Sequence, residues 1–552
     1  MRANLRVSGL VQYDVCYPHE FSCATEMQVD LPHEEATTRG IENLLGGFRK
    51  KGVKFWSENG QLHFKAPKGL LTGEEIESLK ASRDQILAIL DEATTVPATA
   101  ETGENPSHSN KAPLTYSQLS HWNWFQLDRK RGIRHVASVT RIHGQLEIDT
   151  LRSSVAELVR HHSALRTRVS VCDGTPMQEI LNSSDLDLAV HNLTTSPVDT
   201  VEEEITRRFR QLVLEPLDVS VGPLLKVELL RIRDDESVLL VAMEHLISDA
   251  FSLNIFQRDL FNAYKQALSG QPVSLPTVHI SFADHAIRQR MAQESWIQKH
   301  SGYWRGRLAG YLSTRFPTDS VGSALGLTGW RQVSFTISDA TRSELIRWSR
   351  SRGTTLAMSV FTAYVGLVLR WCEASDVVLQ FQIDGRNDSK TANTIGYFAS
   401  TLYLRVDLHD DDDFIDLMDR VTLEYCNAYE HADSGYMKTE VPRPDFCRTS
   451  TFNWIPQPYK ATLADGRSES VLTTAPLMVE SPALSLFELD RDPITQLFDG
   501  TEGISGRIYF DAHRVSPRTM ESFTNNLLIF LRKLLRQPDE RVKSIRLSHN
   551  HV

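Results

Sequence analysis

The chain has 552 residues, of which 41% are hydrophobic, 24% charged and 8% aromatic. That length asks for more than one packed unit, and that composition excludes a disordered or collagen-like chain. The net charge of −10, from 60 basic against 70 acidic residues, argues against a protein whose main business is wrapping nucleic acid.

Residues 1–40 carry no clear periodicity and are read as an extension of unknown order. From Ile41 the run IENLLGGFRKKG repeats apolar residues at helical spacing, and Gly52 ends it. VKFWSENGQLHFKA follows, two β-prone runs on either side of Asn59-Gly60. Such a pair predicts a hairpin, because a type I′ turn needs positive φ at both central residues. Thr72, with Glu75 three residues on, forms a capping-box pattern and opens a helix with Ile76, Leu79, Ile86, Leu87 and Leu90 on one side. Residues 41–93 are thus a small α+β unit near the lower size limit for independent folding. Residues 94–112, rich in Thr, Pro, Ser, Gly and Glu, read as a flexible linker.

From residue 113 strand-like and helix-like segments alternate. HVASVTRI (135–142) alternates like a half-buried strand, and 149–162 has helical spacing. VLLVAM (238–243) suits a strand covered on both faces, with a helix behind it marked by Leu253, Phe256, Leu260 and Tyr264. A comparable strand is predicted over 377–383, after the apolar helix 356–369. That helix is too short to span a bilayer, and the N-terminus lacks an apolar signal core. The six cysteines (16, 23, 172, 372, 426, 447) form no CxxC pair, so a reduced cytoplasm is the expected compartment. The remaining length exceeds one core, so two α/β lobes are expected, drawn at 113–285 and 286–552.

No GxSxG elbow, Walker loop, GxGxxG or HExxH is present, which removes the common hydrolase, kinase, dehydrogenase and zincin readings. What remains is His245-Leu-Ile-Ser-Asp249, just beyond the strand 238–243. Taken alone it is weak, since HxxxD arises by chance on the order of once in such a chain. Its surroundings read MEHLISDAFS, and here the chain resembles the condensation domains of nonribosomal peptide synthetases, whose signature is HHxxxDG. Further segments follow in that family's order: LTYSQLSHWNW (114–124), RHHSALRTRV (160–169), LEPLDVSVGPLLKVELLRI (214–232), ISFADHA (280–286), DGRND (384–388), IGYFASTLYLRV (395–406) and ISGRIYFDAHR (504–514).

The resemblance implies two chloramphenicol-acetyltransferase-like lobes in a V, with the active site in a channel between them. It implies that His245 carries the chemistry and that the 504–514 strand reaches across the lobes. Two positions depart from the signature: Glu244 replaces its first His and Ala250 replaces its Gly. Glu244 either raises the pKa of the neighbouring imidazole or bonds the backbone, and Ala250 adds a methyl beside the site. Ser248 lies within the same turn. Asp249 is implied to be structural, paired with an arginine, for which Arg386 is the candidate. No cofactor is expected on the protein itself, because the substrate arrives on the phosphopantetheine arm of a carrier protein. The related heterocyclisation domains use DxxxxD, a spacing that Glu244 to Asp249 keeps while His245 is retained, so a heterocyclisation variant stays a minor alternative. The epimerisation domains need a second carboxylate that is not found, and condensation is favoured.

Residues 41–93 resemble the tubulysin-synthetase type of β-hairpin docking domain. Arg49, Lys50, Lys51, Lys54, Lys65 and Lys68 face only one acid, Glu58, in that stretch, while Phe55, Trp56 and Phe64 offer apolar contacts. A basic edge strand either discourages self-association or accepts an acidic segment by strand addition. The resemblance supports the second use, with an upstream carrier protein or synthase subunit bearing an acidic C-terminal tail as partner. Docking unit, linker and condensation unit together imply a free-standing condensation enzyme of a nonribosomal or hybrid polyketide assembly line. It would transfer an acyl chain to an amine or hydroxyl, on a second carrier protein or a free acceptor, in elongation or chain release. Neither nucleic acid nor membrane is an expected partner. The rival reading is a non-catalytic recruitment platform with the same two-lobed fold.

Overall fold

The computed structural model describes residues 54–58, 61–65, 82, 86, 110–127, 135–183, 186–311, 314–319, 329–432, 449–456, 462–464, 471–477, 492–500 and 502–548. The chain divides into two compact units, one of residues 1–105 with 339–362 and one of 106–338 with 363–552.

In the first unit, β1 (Lys54–Glu58) and β2 (Gln61–Lys65) pair antiparallel, with Phe55 opposite Phe64 and Lys54 opposite Lys65. Ile86, on the apolar side of the predicted second helix, is buried and bonds back to the Ser82 carbonyl at 2.9 Å. The turn at Asn59-Gly60, the helix from Ile41, the extension 1–40 and Arg49, Lys50, Lys51 and Lys68 lie outside the described residues.

The linker prediction runs too far. Lys111–Pro113 is strand β3, pairing with β6 (Thr175–Ile180) beside β5 (Thr167–Cys172). Ala112 is buried there, which the polar composition of the preceding residues conceals. After β3 come α1 (Tyr116–Leu127), β4 (His135–His143) and α2 (Ile148–His161). Beyond β5 and β6 lie β7 (Ala189–Asn192), α3 (Val198–Leu214), β8 (Leu225–Arg233), β9 (Glu236–Glu244) and α4 (Ala250–Leu268).

β9 is buried along its whole length because both faces are covered. Leu239, Val241 and Met243 join one core with Leu151, Leu158, Phe256 and Leu260 of α2 and α4. Val238, Leu240 and Ala242 join another with Ile205, Phe209 and Val213 of α3. Each large side chain withdrawn in this way contributes roughly 1.5–3 kcal/mol. The period-2 alternation of a strand thus continues to the point where the chain leaves the sheet at His245.

α5 (Phe282–Met291) and α6 (Gln293–Leu308) follow, so the lobe division drawn at 285/286 falls inside a helix. α7 (Asp339–Ser351) and α8 (Leu356–Trp371) come later in sequence, with residues 339–362 in the first compact unit. The second lobe contains β10 (Trp330–Ser338), β11 (Asp376–Ile383), β12 (Ser400–Asp407) and α9 (Phe414–Glu430). It continues through β13 (Thr451–Pro456), β14 (Thr462–Ala464), β15 (Val471–Leu477), β16 (Ile494–Gly500), β17 (Gly503–Asp511) and α10 (Pro517–Arg536). Its sheet runs β10-β17-β16-β13-β11-β12, and the first lobe's sheet runs β14-β15-β4-β9-β8-β7.

The expectation for 504–514 is therefore corrected. β17 is an interior strand of the second sheet, between β10 and β16. The crossing strand is β15, which pairs antiparallel with β4, Thr473 opposite His143 and Leu477 opposite Val139. β17 is held in place by close packing: a Cβ on Gly506 would lie 2.2 Å from the Phe335 ring of β10. Among the described residues no single helix is long and apolar enough to cross a membrane.

Candidate active site

His245 is the one partly exposed residue between Glu236 and Asp249. It occupies the turn that links β9 to α4, where α1 braces it: Gln118 Nε2 donates to the Leu246 carbonyl at 2.8 Å. His245 Nδ1 donates to the Ser248 carbonyl at 2.7 Å, and Ser248 Oγ donates to the Glu244 carbonyl at 3.0 Å. Hydrogen on Nδ1 makes Nε2 the acceptor of the neutral ring. Ser248 thus supports the site mainly through its backbone. Ala250 is half-buried at the first position of α4.

Asp249 caps α4, accepting from the Ser252 N–H at 2.7 Å. Such a cap stabilises a helix by about 1 kcal/mol. The same carboxylate receives Arg386 in two-pronged fashion, Nη1 at 2.9 Å and Nη2 at 3.2 Å, and the N–H groups of Phe398 and Ala399 at 3.0 and 3.2 Å. The ion pair expected between Asp249 and Arg386 is therefore present and buried. Arg386 also lies over the rings of Phe251 and Phe398, 4.4 Å from each centroid, and donates to Ser252 Oγ and the Thr394 carbonyl. Gly385 makes this possible: its φ is +66°, and a Cβ there would lie 2.0 Å from the Phe398 carbonyl oxygen.

Glu244 does something its neighbourhood in sequence does not reveal. Its fully buried carboxylate meets His121 Nε2 of α1 at 2.9 Å and His135 Nε2 of β4 at 3.3 Å. His135 is directly opposite Glu244 in the β4–β9 register, and its Nδ1 donates to the Val213 carbonyl at the end of α3. Burial alone would raise the carboxyl; the two imidazoles outweigh it and hold it at about 2. Neither expected role, raising the pKa of His245 or bonding the backbone, describes this engagement.

His121, His135 and Tyr397 are site residues that the sequence reasoning passed over. His121 lies in LTYSQLSHWNW, His135 in HVASVTRI and Tyr397 in IGYFASTLYLRV, but nothing in their spacing marks them. The rings of His121 and Tyr397 face His245 at centroid distances of 6.0 and 4.3 Å. Among the described residues no cluster of His, Cys, Asp and Glu is arranged to hold a metal.

The assembled features are a half-exposed imidazole whose Nε2 is the acceptor, at the end of a buried strand and beside a segment of the second lobe. The Condensation domain family model matches residues 108–551, and the TubC N-terminal docking domain model matches residues 41–92. A linear gramicidin synthase of Brevibacillus parabrevis is 26% identical over 79% of this chain, and phosphinothricin tripeptide synthetase PhsC of Streptomyces viridochromogenes is 27% identical over 78%. The chain spans 9% and 40% of those relatives' own lengths. In fold it is similar to the X-domain from teicoplanin biosynthesis, with a TM-score of 0.66 and 21% identity over 81% of this chain and 99% of that one. It is likewise similar to the first condensation domain of the CDA synthetase, with a TM-score of 0.64 and 18% identity over 79% and 99%. With that family model covering most of its length, the chain belongs to the condensation domain family and carries an N-terminal docking domain of the TubC type.

Proposed function

We propose that this protein is an acyltransferase that moves an acyl chain from a carrier-protein phosphopantetheine thioester to an amine or hydroxyl, within a nonribosomal or hybrid polyketide assembly line. The observation that carries the reading is His245: half-buried, fixed through Nδ1, with Nε2 as the acceptor. The thioester is already activated, so the acceptor needs orientation and a place for its proton. Nε2 takes that proton as the nucleophile bonds to the acyl carbon. Collapse of the tetrahedral intermediate then breaks the C–S bond, and the proton returns to the departing thiolate.

A positioned base of this kind contributes about 10²–10⁴-fold, and alignment of the two substrates supplies much of the remainder. The nucleophilic atom decides between amide and ester. The docking domain recruits the partner whose acidic C-terminal tail adds to its basic hairpin. The test incubates the protein with an acylated upstream carrier protein and candidate acceptors and follows intact mass. Product should form with the wild type, and turnover should fall about 10²–10⁴-fold in His245→Ala. Equal turnover in purified His245→Ala removes the general-base role. No transfer by the wild type to any carrier-bound or free acceptor leaves a recruitment platform.

A further inference from the structure

Three rings meet at the candidate site, and they come from three parts of the chain. His121 belongs to α1, His245 to the turn after β9, and Tyr397 to the second-lobe segment that leads into β12. Tyr397 is the nearer to His245, at 4.3 Å between centroids with a 45° tilt, and it stands edge-on to His121 at 6.3 Å.

The segment bearing Tyr397 is pinned by first-lobe side chains on both sides of that residue. Ser252 Oγ accepts from the Gly396 N–H at 3.0 Å and donates to the Gly396 carbonyl at 2.8 Å. Asp249 accepts from the N–H groups of Phe398 and Ala399. Space is fixed as well: a Cβ on Gly396 would lie 2.2 Å from the Phe282 ring. Phe398 is buried against Arg386, while its neighbour Tyr397 is half-exposed against His245. The clamp of Asp249, Arg386 and Ser252 therefore does more than join the lobes. It delivers an aromatic ring to the face of the candidate base.

We propose that Tyr397 is a positioning residue: its ring, held in place by Asp249 and Ser252, fixes the face of the His245 imidazole, so that a first-lobe base works only when the second lobe is seated. This rests on the acyl-transfer reading above. A ring that fixes an imidazole acts on the chemical step, and a displacement of the order of 1 Å at a reacting group costs about 10²-fold.

The experiment compares wild type, Tyr397→Ala and Tyr397→Phe in the full-length protein, with kcat and KM measured for the acylated carrier protein and thermal unfolding followed in parallel. Tyr397→Ala is expected to lower kcat by about 10–100-fold with KM within about twofold of wild type. Tyr397→Phe, which keeps the ring, should recover most of that loss, and both variants should unfold within a few degrees of wild type. Three outcomes overturn the inference: a wild-type kcat in Tyr397→Ala, a loss confined to KM, or a Phe variant no better than Ala. The two levels remain separable. If His245→Ala is inactive while Tyr397→Ala turns over normally, only the role of Tyr397 fails. If His245→Ala is fully active, the general-base role of His245 fails and that of Tyr397 with it, whereas the acyl-transfer reading fails only if the wild type transfers nothing.

Discussion

At the residue scale, Glu244 is a fully buried carboxylate held between two imidazoles directly before the candidate base. Removing one partner of a buried pair is costly because the other is left unbalanced. Glu244→Gln keeps the shape and deletes the charge, and should destabilise the protein at pH 7 by about 1.5–3 kcal/mol, the range for hydrogen bonds to charged groups. The folded carboxyl lies at about 2, below its ordinary 4.5. Its contribution is therefore present above about pH 4.5 and is lost as pH falls toward 2. Urea midpoints of the wild type and Glu244→Gln should converge over that range. A gap that stays constant with pH would exclude the linkage.

The signature's histidine and aspartate were legible through the family resemblance, since HxxxD after a buried strand is weak by itself. The partners of Glu244 were not. His121 and His135 stand more than a hundred positions earlier in the chain, and only the β4–β9 register and the docking of α1 bring them together.

At the element scale, the turn from β9 into α4 is held by one carboxylate that receives five hydrogen bonds: two from Arg386 and three from backbone N–H groups. Asp249→Ala would leave the Arg386 guanidinium buried without its counter-charge, at a cost of about 3–5 kcal/mol. Soluble yield and unfolding temperature should fall together with activity. An Asp249→Ala variant as stable as wild type, yet inactive, would move Asp249 into the chemistry itself. Gly396→Ala probes the same junction from the other side. The added methyl meets the Phe282 ring, and overpacking of that kind costs about 1–3 kcal/mol, which thermal unfolding would register.

The helices and interior strands in this region follow from apolar patterning, a continuous run over 238–243 and helical spacing over 253–264. β15 shows the opposite case. VLTTAPL carries no marked pattern, and it becomes a strand because β4 offers a sheet edge to which it can add. The family resemblance implies the crossing role for 504–514, whereas the structure gives it to β15.

At the whole-molecule scale, a basic hairpin within a chain of net charge −10 points to recruitment by charge. Deleting residues 1–95 should lower kcat/KM for the cognate tail-bearing carrier protein while leaving kcat at saturating carrier unchanged. The wild type's advantage should shrink as salt rises from about 50 to 500 mM, because exposed charges are screened within a few ångströms at high ionic strength. Equal efficiency with and without residues 1–95 would remove docking as the role of this unit.

By itself the sequence determined the local pieces: a hairpin, amphipathic helices, a strand buried on both faces, and a histidine and an aspartate at fixed spacing beyond it. These depend on neighbours within a few residues, where periodicity and capping chemistry act. Tertiary structure alone decided that 471–477 joins the other lobe's sheet, that Glu244 is met by His121 and His135, and that Tyr397 reaches His245. Those contacts join residues more than a hundred positions apart, and their energy comes from burial and register, which leave no local trace in the order of residues.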